Sequence, residues 1–147
     1  MRLRFISVGR DRSGLFEPAV QEYVGRLRRQ QHTVDLVELK EAESAPEEAE
    51  AILAKVTPRD VLVCLDERGK QLSSPELAAQ LARWRDESRD VAFAIGGDEG
   101  HGPGVRERAQ LVWSLSKLVL PHRLVRVVLA EQVYRAFTIL RGEPYHK

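Results

Sequence analysis

The sequence predicts an α/β domain with a mostly parallel sheet and helices on both faces. Three observations lead there. Short β-rich runs alternate with helix-patterned stretches along the whole chain, the order expected of parallel strands joined by helical crossovers. Two of those runs, Val61 to Leu65 and Val91 to Ile95, are apolar without alternation, as in central strands buried on both faces. No linker, repeat or low-complexity tract divides the 147 residues, so a single domain, 1–147, is expected.

The elements follow in order. Leu3 to Val8 reads as a first strand ending at Gly9, and Phe16, Val20, Tyr23, Val24 and Leu27 then recur at helical spacing. Thr33 to Leu39 is a second strand. Ser44 with Glu47 has the spacing of a capping box, Pro46 suits a first turn, and a helix runs from there until Pro58 closes it. Val61 to Leu65 is the third strand, and DERGKQL follows as a loop. Ser73 and Glu76 repeat the capping signature ahead of Leu77, Leu81 and Trp84. Val91 to Ile95 is the fourth strand and runs into Gly96-Gly97. A shorter helix is expected from Val105 to about Leu111, and a strand-like apolar segment from Leu115 to Leu120. Pro121 and His122 turn the chain into a last helix reaching about Leu140.

That last helix is apolar almost all the way round, which requires burial on more than one side. One side belongs to the core, and a partner subunit suits the other better than lipid. Arg123, Arg126, Glu131 and Arg135 interrupt the run, and each charge near a helix centre in lipid costs about 2.5–3.5 kcal/mol. No membrane association is expected, and with no apolar leader pattern at the N-terminus a cytoplasmic location is. The single Cys64 excludes an internal disulfide and a cysteine-rich zinc site. It lies mid-strand, as an inert buried thiol does.

The net charge of +1 conceals an uneven distribution. Residues 1–30 carry seven arginines against three acids, residues 38–50 six glutamates against Lys40, and residues 101–147 eight Lys or Arg against three acids. If the two basic ends meet they form a positive surface suited to a phosphate backbone, although ordinary solvated helix faces give the same composition.

The stretch GGDEGHGPG, Gly96 to Gly104, lies between a buried strand and a helix, where α/β proteins bind ligands at the carboxyl ends of strands. It fits neither common phosphate motif. A dinucleotide fingerprint needs glycine at Val105, and a Walker loop needs lysine where Pro103 stands. It is a ligand loop of another kind or a flexible turn. Of the four histidines, His32 falls in a turn facing solvent, His101 in the glycine loop, His122 at a helix start and His146 beside Tyr145. None has triad or metal-ligand spacing, so no metal is expected. Glu131 and Arg135 have the spacing of a helix ion pair, which on so apolar a helix is partly buried.

The segments LDERGKQLSSPELAAQLARW, VAFAIGGDEG, WSLSKLVLPHRLVRVVLAEQVYRA and the terminal PYHK, with LRFISVGR and EYVGRL near the start, resemble the RlmH family of large-subunit ribosomal RNA methyltransferases, of the SPOUT class. The likeness covers the chain apart from about Lys40 to Pro58. It implies a C-terminal trefoil knot, a homodimer, and methyl transfer from S-adenosylmethionine to N3 of a pseudouridine in 23S rRNA of the ribosome. Gly96 and Gly97 would then wall the cofactor pocket and Leu65 pack on the adenosine. The segment Leu115, Ser116, Lys117, Leu118, Val119 and Leu120 would bind adenine through its main chain. Given that resemblance, our hypothesis is that the PYHK tail closes on the target base, with Tyr145 stacking or hydrogen-bonding, His146 near the uracil edge, and Arg126 and Arg135 on phosphate or the polarised uracil oxygens. A non-catalytic RNA-binding or ribosome-associated protein of the same fold is the alternative. A nucleotide hydrolase using the glycine loop is disfavoured by the missing lysine and metal ligands.

Overall fold

The computed structural model describes residues 1–97 and 100–146. Five parallel strands form one sheet in the order β2-β1-β4-β3-β5, with β1 at Arg2–Val8, β2 at Thr33–Leu39, β3 at Val61–Gln71, β4 at Val91–Ile95 and β5 at Leu111–Ser114. The helices are α1 (Glu17–Arg29), α2 (Ala45–Leu53), α3 (Ser74–Asp86), α4 (Pro103–Arg108) and α5 (His122–Leu140), followed by a 3-10 turn at Pro144–His146.

Strand parity sorts the core into two layers. Leu3, Phe5, Val63, Leu65, Phe93 and Ile95 face α1, α3 and α5. Ile6, Val8, Leu62, Cys64, Ala92 and Ala94 face α2 and α4. Both sides of β4 are buried, which is why its sequence shows no alternation. The second layer is floored by Ala92, Ala94 and Cys64, and such small side chains suit the two shorter helices. The Cys64 thiol is fully buried and burial pushes it up to about 12, as an inert core cysteine requires.

Caps explain the helix starts. Ser73 and Glu76 exchange side-chain and main-chain hydrogen bonds in a complete capping box, whereas Ser44 only accepts from the Glu47 N–H, at 3.3 Å. For α1 the cap is Asp11, whose carboxylate accepts from the Phe16 and Glu17 N–H groups at 2.7 and 3.2 Å.

Three expectations need correction. β3 does not stop at Leu65. Both Leu65 and Lys70 pair with Trp113, so residues 66–69 bulge out and the strand resumes as far as Gln71 against β5. The last strand lies at Leu111–Ser114, where the sequence placed the end of a helix, and Leu115 to Leu120 is a loop. Ser114 Oγ donates to the Ser116 carbonyl at 2.8 Å and Ser116 Oγ accepts from the Leu118 N–H at 2.9 Å, a local turn that competes with the ladder and ends it. His32 is half-buried against Phe137, with 4.0 Å between ring centroids, rather than in solvent. Its imidazole is pushed down to about 4, first by burial and then by the N-terminal amine, Arg141 and Arg85.

From β5 at the sheet edge the chain returns inward. Residues 115–121 pass the carboxyl ends of β3 and β4, and His122 arrives beside Gly9 at the end of β1. α5 then packs against both α1 and α3. No described helix is long and apolar enough to cross a membrane.

Candidate active site

The return path encloses a cavity of about 810 Å³ at the carboxyl ends of β3 and β4, a size suited to a small-molecule cofactor. Its walls come from the ends of the strands (Leu65, Ile95, Trp113), the β3 bulge (Asp66, Glu67, Arg68), the glycines, and the loop from Leu115 into the first turn of α5. Of the residues that the sequence nominated for cofactor binding, Leu65, Gly96, Gly97, Leu115, Ser116, Leu118, Val119 and Leu120 all line it, and Lys117 does not.

Backbone chemistry dominates this cavity. Among the described residues, Lys117, Val119 and Leu120 make no main-chain hydrogen bond to another part of the chain. Their amides and carbonyls remain open to a ligand, since main-chain polar groups rarely stay unpaired once enclosed. Leu118 and Val119 are 73% and 78% exposed, so the loop shows apolar side chains and bare backbone together. Gly96 is held close to the facing strand of the turn: a Cβ there would lie 2.9 Å from the Gly100 carbonyl carbon. The turn closes through the Gly100 N–H donating to the Gly97 carbonyl at 3.0 Å, with Gly100 at φ +75°. Asp98 and Glu99, the middle of the glycine stretch, lie outside the described residues.

Behind the turn sits an unexpected polar network. His101 is buried, and its Nε2 lies 3.0 Å from the Ala94 carbonyl. A carbonyl only accepts, so Nε2 carries the proton and Nδ1 an unpartnered lone pair. Burial lowers the pKa of this ring against the opposing pull of that carbonyl, keeping it neutral. Arg106 donates to the His101 carbonyl at 3.0 Å and to Asp66 at 3.2 Å. Burial alone would raise the Asp66 carboxyl, but hydrogen bonds from the Arg68 main chain and from the Arg68 and Arg106 guanidiniums outweigh it and hold it low. Trp113 adds an indole N–H that is also buried without a partner. Sequence reading missed Asp66 and Arg68 because it ended β3 at Leu65, before the bulge, and His101 because a loop position carries no burial signal.

The residues nominated for catalysis are elsewhere. None of Arg126, Arg135, Tyr145 and His146 lines the cavity. Arg126 is 6% exposed and donates to Glu17 at 3.1 Å and Glu38 at 3.2 Å, tying α5 to α1 and β2. Both bonds use Nη2, and Nη1 is buried without a hydrogen-bond partner among the described residues. Tyr145 and Arg135 are together: the Tyr145 hydroxyl donates to Glu131 at 3.0 Å, Arg135 pairs with the same carboxylate at 2.7 Å, and its guanidinium lies 4.9 Å from the Tyr145 ring centre. Tyr134 meets that ring edge-on at 4.8 Å. Burial, then the bond to Glu131 and its charge, raise the Tyr145 phenol, which stays protonated. His146 is exposed beside it, and Lys147 lies outside the described residues. At 1.5 Å per residue, about 13 Å of helix axis separates His122 at the cavity from Glu131 under the tail.

Comparison with known proteins fits this geometry. Residues 1–146 match the family model described as "Predicted SPOUT methyltransferase". The chain is 51% identical over 154 residues to the Ribosomal RNA large subunit methyltransferase H of an Anaeromyxobacter species, across the full length of both. It is 51% identical to the protein of that name from Cereibacter sphaeroides, covering all of this chain and 99% of the relative, and 49% identical to that from Anaeromyxobacter dehalogenans, again at full length. A match of this extent, on a parallel sheet with its cavity at the strand ends, settles the assignment: the chain belongs to the SPOUT methyltransferase family.

Proposed function

We propose that the protein methylates N3 of a pseudouridine in 23S rRNA of the ribosome, using S-adenosylmethionine, as a cytoplasmic homodimer. The observation that carries this reading is the cavity walled by open main chain and glycine in a chain about half identical, end to end, to large-subunit rRNA methyltransferases. The site suits the cofactor chemically. Leu65, Trp113 and the loop leucines offer apolar walls for an adenine ring, and the unpaired amides and carbonyls of Lys117, Val119 and Leu120 its hydrogen bonds. A site without a phosphate motif fits a cofactor without phosphates. The return of residues 115–121 across the strand ends is the path on which the family's knot would be tied.

Bound S-adenosylmethionine supplies a methyl group already activated on a sulfonium. The chain's own work is to orient the reactants, exclude water and receive the N3 proton. Orientation contributes up to about 7–11 kcal/mol in model reactions, and a positioned base typically about 10²–10⁴-fold. Tyr145, its phenol protonated and donating to Glu131, offers a stacking surface, and an imidazole nitrogen of His146 beside it would take the proton. These residues stand away from the cavity of their own protomer, so a second subunit must bring them. Support for a dimer comes from α5, where Leu124, Val127 and Val128 stay only half-buried, and from exposed Leu118 and Val119. A two-fold contact between antiparallel α5 helices would set the partner subunit's Tyr145 near this chain's His122.

Mass spectrometry of 23S rRNA nucleosides from cells with and without the protein tests the proposal. One methylated pseudouridine should disappear with the protein and return with its expression. Unchanged nucleosides would refute it.

A further inference from the structure

Building on the RNA-directed reading above, we propose that the cleft between the C-terminal ends of α1 and α5 is an RNA-backbone subsite, taking a phosphodiester while the neighbouring base lies on the Tyr134 ring. The cleft encloses about 320 Å³ and is lined by Arg26, Arg29, Gln30, Tyr134, Arg141 and Glu143. It shares no residue with the methyl-transfer cavity.

Charge is the first ground. Three guanidiniums face one carboxylate in the lining. Glu143 is paired with Arg141 at 2.9 Å, and Glu22, outside the cleft, bonds Arg26 at 3.0 Å. Arg29 is exposed and makes no ion pair among the described residues. The cleft therefore keeps a positive excess, and the planar fork of arginine matches phosphate oxygens two at a time. This is where the basic ends of the chain meet, Arg26 and Arg29 from α1 and Arg141 just after α5.

Gln30 is the second ground. Both its amide nitrogen and its amide oxygen are hidden from solvent and lack a hydrogen-bond partner. A group that both donates and accepts satisfies such an amide, and the ribose 2′-hydroxyl does both. The third is aromatic. The Tyr134 ring borders the cleft with the Arg26 guanidinium 5.5 Å from its centre, and a ring beside an arginine is the platform on which unpaired RNA bases stack. A free anion would need the arginines but neither the ring nor the amide, so RNA is the occupant the cleft fits.

The test uses the full-length double variant Arg29→Ala/Arg141→Ala, with ribosomal methylation followed across a range of salt and cofactor affinity measured by calorimetry. We expect KM for the ribosomal substrate to rise about tenfold or more with kcat nearly constant, the salt slope of RNA binding to fall by about one to two, and cofactor affinity to hold. Arg29→Lys/Arg141→Lys should regain much of the lost salt slope. An unchanged KM and slope in the alanine variant, with wild type active, would overturn the cleft alone. Dissociation of the dimer by the same substitutions would also overturn it, assigning the cleft to the subunit contact. Inactive wild-type protein would overturn both this subsite and the reading on which it rests.

Discussion

The two ends of α5 solve opposite problems. At His122 the helix enters from a loop whose useful groups are backbone: unpaired amides and carbonyls, a glycine turn, and apolar side chains left in solvent. Near Glu131 to Leu140 the same helix is dressed with interacting side chains. Tyr145, Tyr134, Arg26, Arg135 and Glu131 stack and hydrogen-bond one another. A backbone site is insensitive to most substitutions except those that add bulk, whereas a side-chain site is lost atom by atom. On the reading proposed above, the helix would keep a small-molecule end and a macromolecule end about two and a half turns apart.

Ending the chain after Glu143 should separate these ends most sharply. Turnover should fall by about 10²–10⁴-fold, the worth of a positioned base, while cofactor affinity stays within about twofold. Full turnover without the tail would remove it from the mechanism, and equal loss of cofactor binding would show that the ends are not separable. Gly96→Ala should do the reverse. Its new Cβ would press the Gly100 backbone at 2.9 Å, so the turn must shift, and cofactor affinity should drop by about tenfold or more. Calorimetry reads this directly, and wild-type affinity would mean that the turn does not shape the pocket.

The smallest effect is in pH. His32 under the tail end and His101 behind the cavity both hold lowered pKa values, His32 at about 4. A lowered folded value means that the unfolded chain binds more protons, so the stabilisation is complete above about pH 6.5 and is lost as pH falls toward 4. Because His32 is only half enclosed, solvent screening leaves its share at about 1–2 kcal/mol. His32→Leu should flatten the acid limb of a denaturation series between pH 6.5 and 4. A slope unchanged by that variant would assign the acid sensitivity to other groups.

The sheet was legible in the sequence wherever burial was two-sided. Val61 to Leu65 and Val91 to Ile95 have no polar residue to confuse the pattern, and both are strands. Errors came at the edge. β5 contributes only Leu111–Ser114, and its assignment depends on pairing with a part of β3 that lies beyond a bulge, which no local pattern encodes. The residues of the loop at 115–120 that line the cavity were nominated only through resemblance to a known family, because the loop sequence SLSKLVLPH is distinctive while what it exposes, being main chain, is written in no side chain. Arg126 shows the opposite case. It was expected on phosphate or uracil oxygens, whereas its ion pairs with Glu17 and Glu38 depend on α1 and β2, distant in sequence.

That distance also bears on how the molecule is made. Glu17 and Arg126 stand 109 residues apart, and Arg10 with Arg123 113 apart, so the first helix is finished only by a segment made long after it. Contacts so remote are slow to form, and until they do Val20, Val24 and Leu27 lack the cover of α5. A nascent chain halted near Leu120 would present that greasy stripe to the ribosome exit and to chaperones, making the addition of α5 the step at which newly made protein either matures or aggregates.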